Sequence, residues 1–311
     1  MKTFTLPGTD LTVPAITLGT MRLNTIDDDT IRALVGAALD EGINFFDHAA
    51  IYGGGHLCET RFGQAMKLTP SQRESIILQT KCGIVIGPSG GYFDFSHDEI
   101  VSSVDASLKA LGTDHIDILL LHRPDALVEP DEVARAFDEL QASGKVRWFG
   151  VSNHTPAQIE LLKKSVRQPL IADQVQISLT HCPSIAQGVT ANMSWTDQAI
   201  NRDGGLVDYC RLHDITLQAW SPFQNPDWTG TFIDNPDQPE LNAALASLAK
   251  EYGVTPTSIA TAWLTRHPAQ MQVVAGTLRP DRLREIARGA DVVLTKAQWY
   301  ELFTAAGHII P

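Results

Sequence analysis

Short apolar runs alternate with segments of helical period along this chain, and they do so about eight times. The first unit predicts a strand over Ala15–Gly19, then a helix that carries Ile31, Leu34, Val35, Ala38 and Leu39 on one face. Asp27-Asp28-Asp29-Thr30 opens that helix with acid where the helix dipole favours it, and Gly42 ends it. Seven further strands are predicted over Ile43–Phe46, Ser75–Gln79, Ile116–Leu121, Val146–Val151, Leu170–Val175, Ile215–Ala219 and Gln272–Ala275. The helices that follow them cover Cys58–Lys67, His97–Leu111, Pro130–Ser143, Thr155–Lys164, Leu206–His213, Gln238–Tyr252 and Asp281–Gly289. Lys2–Val13 reads as a hairpin turning at Pro7-Gly8-Thr9-Asp10, Thr257–Thr265 and Lys296–Ala305 as additional helices, and Gly307–Pro311 as a tail.

Strands that are apolar on both faces belong to a parallel sheet covered by helices. The number of units predicts a (β/α)8 TIM barrel with an N-terminal hairpin and extra C-terminal helices. The alternative is a doubly wound open sheet. Against it, no Gly-x-Gly-x-x-Gly follows the first strand, and Gly53-Gly54-Gly55 lacks that spacing. No low-complexity segment or linker interrupts the pattern, so residues 1–311 are expected to form a single domain.

Charge and cysteine usage narrow the function. The formal net charge of −12 repels phosphate backbones, which argues against nucleic acid and anionic membrane as partners. No apolar run approaches the ~20 residues of a membrane span, and the N-terminus lacks a signal-peptide core. Cys58, Cys82, Cys182 and Cys210 form no CxxC pair and read as reduced thiols, so a cytoplasmic protein is expected.

In a barrel the carboxyl ends of the strands meet at one rim, where active sites form. Here those ends carry Asp47, Lys81, His122, Ser152 with Asn153, Gln174 with Gln176, Trp220 with Ser221, and Gly276 with Thr277. Tyr52 follows Asp47 closely, before the three glycines. A phenol is a poor acid near neutral pH, with a reference pKa of about 10. A nearby ammonium favours the phenolate. Lys81 can supply the ammonium, Asp47 can keep it charged, and His122 can hydrogen-bond a substrate oxygen. Together they make a proton donor and a polarising site for a carbonyl. None of them carries electrons, so a hydride donor has to be bound.

Five stretches of the chain resemble the aldo-keto reductase superfamily. They are Gly42-Ile-Asn-Phe-Phe-Asp-His-Ala-Ala-Ile-Tyr52-Gly, Thr80-Lys81-Cys82, Leu121-His122-Arg-Pro-Asp125, Gly144-Lys-Val-Arg-Trp-Phe-Gly-Val-Ser152-Asn153 and Ala275-Gly276-Thr277. They occur in the family's order and at barrel spacing, over essentially the whole length, and are most similar to bacterial members. The resemblance implies a catalytic tetrad of Asp47, Tyr52, Lys81 and His122. Tyr52 would protonate a carbonyl oxygen while a nicotinamide delivers hydride to the carbon. It also implies that Ser152, Asn153 and Gln174 hold the carboxamide, that Trp220 stacks on the nicotinamide and that Ser221 approaches the pyrophosphate.

The adenosine end of the cofactor maps to the segment from Gly276 and Thr277 to Arg288. That segment has a physical signal of its own, because Arg279, Arg282, Arg284 and Arg288 crowd a helix start in an acidic chain. Cations there oppose the helix dipole unless an anion docks nearby. A 2′-phosphate is such an anion, which favours NADP(H), with Asp281 and Glu285 moderating the local charge. No metal is expected, since Asp47, His48 and His122 lack the spacing of a zinc site. The other reading of the same barrel is an NADPH-binding regulatory or sensing subunit with little turnover. The partner expected is a small-molecule carbonyl substrate, bound beneath Gly83–Phe95, Ser178–Gly205 and Ser221–Pro239. Tyr92, Phe93, Phe95, Trp195, Phe223, Trp228 and Phe232 in these stretches offer an apolar wall.

Overall fold

The computed structural model describes residues 1–311. Thr3–Thr5 (β1) and Thr12–Pro14 (β2) pair antiparallel as the N-terminal hairpin. The chain then enters the barrel with Ile16–Gly19 (β3), Phe45–Asp47 (β4) and Ile77–Cys82 (β5). A second hairpin, Ile84–Gly87 (β6) and Gly90–Phe93 (β7), stands outside it. Ile116–Leu121 (β8), Val146–Ser152 (β9), Leu170–Gln176 (β10), Thr216–Trp220 (β11) and Gln272–Ala275 (β12) complete the circle. The eight strands close in the order β10-β11-β12-β3-β4-β5-β8-β9, and all neighbours are parallel. Helices cover the outside, among them Asp28–Asp40, which is capped by the Asp27 side chain accepting from the Thr30 amide. The expected (β/α)8 barrel is therefore the observed fold.

Alternation along the strands sorts the barrel interior into layers. At the strand starts the layer is apolar. Phe45, Ile77 and Ile118 pack there with Leu6 and Val13, so the N-terminal hairpin closes the end of the barrel away from the rim. Two residues further along, the inward positions become polar: Asp47 on β4, Gln79 on β5, Gln174 on β10, Gln218 on β11 and Gln272 on β12. Gln79 and Gln218 exchange amide hydrogen bonds at 2.9 and 3.0 Å, and Gln218 also donates to Gln272 Oε1 at 2.9 Å. Gln272 donates to the Pro14 carbonyl at 2.8 Å, which ends the chain of bonds on the hairpin. Buried amides are tolerated where they satisfy one another, and this layer does so.

Four features differ from the sequence pattern. The third strand does not stop at Gln79 but runs to Cys82, because Lys81 is held inside the barrel by partners distant in sequence. Gly83–Phe95, which the pattern assigns no strand, contains the β6–β7 hairpin, where Val85 lies opposite Tyr92 and Gly90 turns the chain at a φ of +116°. Ser178–Gly205 contains the helix Pro183–Val189, and the Gln198 side chain clasps the tail by bonds to Ile309 N and O at 2.8 and 3.0 Å. A short helix, Pro70–Glu74, starts at a capping box between Thr69 and Gln72.

One buried group gives the fold a pH dependence. Asp173 on β10 is wholly buried, and neither carboxylate oxygen has a side-chain hydrogen-bond partner. Burial pushes its pKa up from 3.8 to about 8. Between those two values the folded protein holds a proton that the unfolded chain releases, so stability falls as pH rises through this window. Replacing Asp173 with Asn should flatten the dependence of Tm on pH between 5 and 8 and raise Tm most at the alkaline end. Parallel Tm–pH curves for the two proteins would contradict this.

Candidate active site

Asp47 ends β4 with its carboxylate inside the barrel, and it is only 1% exposed. Its Oδ1 accepts from Gln79 Nε2 at 2.6 Å and from Gln174 Nε2 at 3.0 Å. Its Oδ2 accepts from Lys81 Nζ at 2.7 Å. The Lys81 ammonium is fully buried and donates also to the His48 carbonyl at 2.8 Å and to Tyr52 Oη at 3.0 Å. An ammonium has three donors, and all three are used. Because Lys81 can only donate, Tyr52 Oη accepts from it, and the phenolic proton is left to point elsewhere.

Local backbone explains how Tyr52 reaches this place. His48 N donates to the Gln79 carbonyl and Ala50 N to the Lys81 carbonyl, so the chain beyond β4 stays clamped to β5. A turn at Ala49 follows, and Gly53, Gly54 and Gly55 take φ values of +73°, +87° and +54°. Three successive left-handed residues would be strained with side chains. They redirect the chain into the helix Leu57–Met66 directly after Tyr52. His122 follows β8, and its ring stands edge-on to Tyr52 with centroids 5.8 Å apart. His48 points the other way. It shares a 2.8 Å hydrogen bond with Thr20 Oγ1, packs edge-on against Phe62 and is held neutral by burial, its pKa down at about 4.

The electrostatics differ in one respect from the sequence argument. Burial raises the pKa of Tyr52, and although Lys81 pulls it down as expected, burial is the larger effect. The phenol is therefore protonated at neutral pH and stands ready as a donor. For Lys81, burial alone disfavours the charge, but Asp47 and Tyr52 together raise its pKa above the ordinary value. Burial, then Lys81, then Arg123 hold His122 well below the ordinary imidazole pKa, so its ring is neutral.

A cleft of about 440 Å³ opens on this group. The structure brings Asp47, Tyr52, His122, Ser152, Asn153, Gln174, Trp220, Ser221, Gly276, Thr277 and Arg282 to its lining, and places Lys81 directly behind Tyr52. Arg279 and Glu285 are not part of the lining. Arg279 is engaged with Asp281, and the Glu285 carbonyl accepts from Ser258 Oγ at 2.7 Å. Of the residues expected to form an apolar wall, only Phe223 and Trp228 reach the cleft. Tyr92, Phe93 and Trp195 are exposed, while Phe95 and Phe232 are buried in the core.

The residues present suit a nicotinamide cofactor. Asn153 sits at a φ of +62° and donates to Ser152 Oγ at 2.8 Å, while Trp220 Nε1 donates to Asn153 Oδ1 at 3.0 Å. This locks Ser152, Asn153 and the indole into one rim. Beside Trp220 in the sheet register, Gln176 Nε2 is buried and has no partner. The lining itself offers the Ser152 hydroxyl, the Asn153 and Gln174 amides and the Trp220 indole, a set that suits a planar carboxamide-bearing ring. The other arm of the cleft carries Gly276, Thr277 and Arg282, with Arg22 donating to the Gly276 carbonyl.

Sequence reasoning missed Gln79 and Gln218 beneath Asp47, and Arg22 and Arg123 in the cleft wall. Gln79 and Gln218 had a signal, since each lies two residues before a rim residue, Lys81 and Trp220, on the same face of its strand. Arg123 stands next to His122.

Residues 15–305 match the Aldo/keto reductase family. The chain is 35% identical to the uncharacterized oxidoreductase YcsN of Bacillus subtilis, over 97% of each protein. It is 36% identical to the 6-dehydroglucose reductase of Agrobacterium fabrum, over 89% of this chain and 87% of that protein. Among solved structures, the thermostable aldo-keto reductase Tm1743, crystallised with the inhibitor epalrestat, superposes with a TM-score of 0.76 at 25% identity and covers 98% of this chain and 100% of its own.

The ion pair at the centre of the site should also be a stability element. Lys81→Met strands the Asp47 carboxylate inside the barrel and should lower the unfolding free energy by roughly 3–5 kcal/mol in urea titrations. Removing both charges in Lys81→Met/Asp47→Leu should recover part of that loss. A single variant as stable as the parent would contradict the assignment of this pair as buried and mutually dependent.

Proposed function

The chain belongs to the aldo/keto reductase family, and from that premise we propose that it reduces an aldehyde or ketone to the alcohol with NADPH as hydride donor and Tyr52 as the acid. Members of the family are oxidoreductases that act on small carbonyl compounds with nicotinamide cofactors. The observation that carries the finer reading is the closed chain from Asp47 through Lys81 to Tyr52, ending on a cleft that His122 shares.

When bound, NADPH supplies the hydride for the carbonyl carbon. The protein supplies the rest. Tyr52 holds its proton because burial keeps the phenol neutral, and it gives that proton to the carbonyl oxygen. The phenolate formed is stabilised by Lys81, whose charge is guaranteed by Asp47 in a buried ion pair. His122 is neutral and can donate one hydrogen bond to the substrate oxygen without competing for the proton. Ser152, Asn153, Gln174 and the face of Trp220 would hold and orient the carboxamide end of the cofactor. Ser221 lines the cleft at the position proposed for the pyrophosphate.

The preference for NADPH is proposed from Arg282. It lines the arm of the cleft beside Gly276 and Thr277, near the start of the helix Pro280–Gly289. A guanidinium there suits a phosphate more than a hydroxyl. Arg279 and Glu285 are assigned no direct contact, since both lie outside the lining.

Cofactor consumption over a panel of aldehydes, ketones, dicarbonyls and quinones tests this reading. At least one class should be reduced, with kcat/KM for NADPH about tenfold or more above that for NADH, the size of a charge-assisted hydrogen bond. Arg282→Leu should collapse that ratio. No turnover of any class would overturn the reductase reading, and a preference for NADH would overturn the phosphate assignment.

A further inference from the structure

Arg123 is the one cation at the reacting end of the cleft whose role is unassigned. It directly follows His122, is half-buried, and lines the cleft together with Tyr52, Trp220 and Trp228. It makes no hydrogen bond and no ion pair within the protein; its guanidinium lies over the Trp220 ring at 5.7 Å from the centroid. The carboxylates close to it in sequence or space are already engaged. Asp125 accepts from Phe95 N at 3.0 Å and Leu127 N at 2.8 Å, and Asp47 is held by Lys81 and two glutamines.

In a chain with 36 acidic and 24 basic residues, Arg123 shares this lack of a protein partner with Arg282, the half-buried arginine of the other arm of the cleft. Half-burying an unpaired guanidinium costs solvation, and a contact with an indole face returns only part of it. The position is also distinct from the arm that carries Arg22, Gly276 and Arg282, where the 2′-phosphate of the cofactor is proposed to lie. A planar fork of donors next to the acid and the imidazole is placed to receive an anion a few bonds away from a carbonyl.

We propose that Arg123 binds an anionic substituent of the substrate, a carboxylate or a phosphate, and that the enzyme acts on acidic aldehydes or ketones rather than neutral ones. The inference rests on the reductase reading above and narrows its substrate class. Tyr52 and His122 hold the carbonyl oxygen, Arg123 holds the charge, and Trp220 and Trp228, edge-on at 5.7 Å, wall the space beside it. A neutral substrate would leave the guanidinium as it is now, without a partner.

Matched substrate pairs test the proposal. The first pair is 4-carboxybenzaldehyde and its methyl ester; the second is glyceraldehyde 3-phosphate and glyceraldehyde. The charged member of at least one pair should be preferred by about tenfold or more in kcat/KM, the range of a hydrogen bond to a charged group. Which pair shows the preference distinguishes carboxylate from phosphate. Arg123→Leu should bring that ratio toward one, and Arg123→Lys should restore part of it. Because Trp220 flanks the guanidinium, titration of the parent with benzoate or inorganic phosphate should also quench tryptophan fluorescence, and Arg123→Leu should lose that response. Equal rates within both pairs, or an Arg123→Leu variant that slows both members equally, would overturn the proposal while leaving the reductase reading intact. Absence of turnover with every carbonyl would instead fail the reading on which it rests.

Discussion

The buried ion pair between Asp47 and Lys81 is the constraint on which the site depends. Two charges inside a barrel are expensive to desolvate unless each is fully hydrogen-bonded. The structure meets that condition on both sides. The ammonium has three acceptors, and the carboxylate receives two amides besides the ammonium. The glutamine layer is thus a consequence of the charge above it. Gln79 and Gln174 are amides because Asp47 needs donors, Gln218 is an amide because Gln79 and Gln174 then need a partner of their own, and Gln272 accepts from Gln218 in turn. The network ends at Pro14 of the hairpin, below which the core is apolar again.

From this pair upward the barrel divides its work by height. The apolar floor supplies rigidity, the polar layer fixes one carboxylate, and the rim presents a phenol whose proton is held by burial and whose conjugate base has an ammonium waiting at 3.0 Å. Burial and Lys81 act on Tyr52 in opposite directions, and each serves a different stage. In the proposed reaction burial keeps the proton before transfer, and Lys81 stabilises the charge afterwards. A site with only the ammonium would lose the proton too early, and one with only burial would not release it.

Much of this was legible in the sequence because barrels repeat. Strands apolar on both faces, each followed by a helix, gave the architecture, and the polar residues at their ends gave the rim. The sequence pattern points to Lys81 but ends its strand at Gln79, since a lysine reads as a strand end until its partner Asp47 is placed beside it. Gln79 and Gln218 fall inside the predicted strands, and alternation puts them on the inward face, but an amide one layer below the rim shows its role only when the carboxylate it serves is placed across the barrel. The aromatic residues of the long connections misled in the other direction. Composition suggests a pocket wall, but exposure of Trp195 and Tyr92 depends on how the loops fold back, which no local pattern encodes. Among the crowded arginines, periodicity did hold the answer. Arg282 shares a helix face with Ile286, four residues on, and both line the cleft, whereas Arg279 precedes the helix and turns to Asp281.

The central claim is that Tyr52 is the proton donor and that the rest of the site exists to hold and then stabilise it. Tyr52→Phe removes one oxygen and leaves the ring, Lys81, Asp47 and the cofactor arm in place. Stopped-flow measurement of hydride transfer from bound NADPH, with cofactor affinity followed by fluorescence, tests it most directly. The account predicts that NADPH binds the variant within about threefold of the parent while carbonyl reduction slows by roughly 10²–10⁴, the range of a lost general acid. Reduction by Tyr52→Phe at the rate of the parent would contradict it.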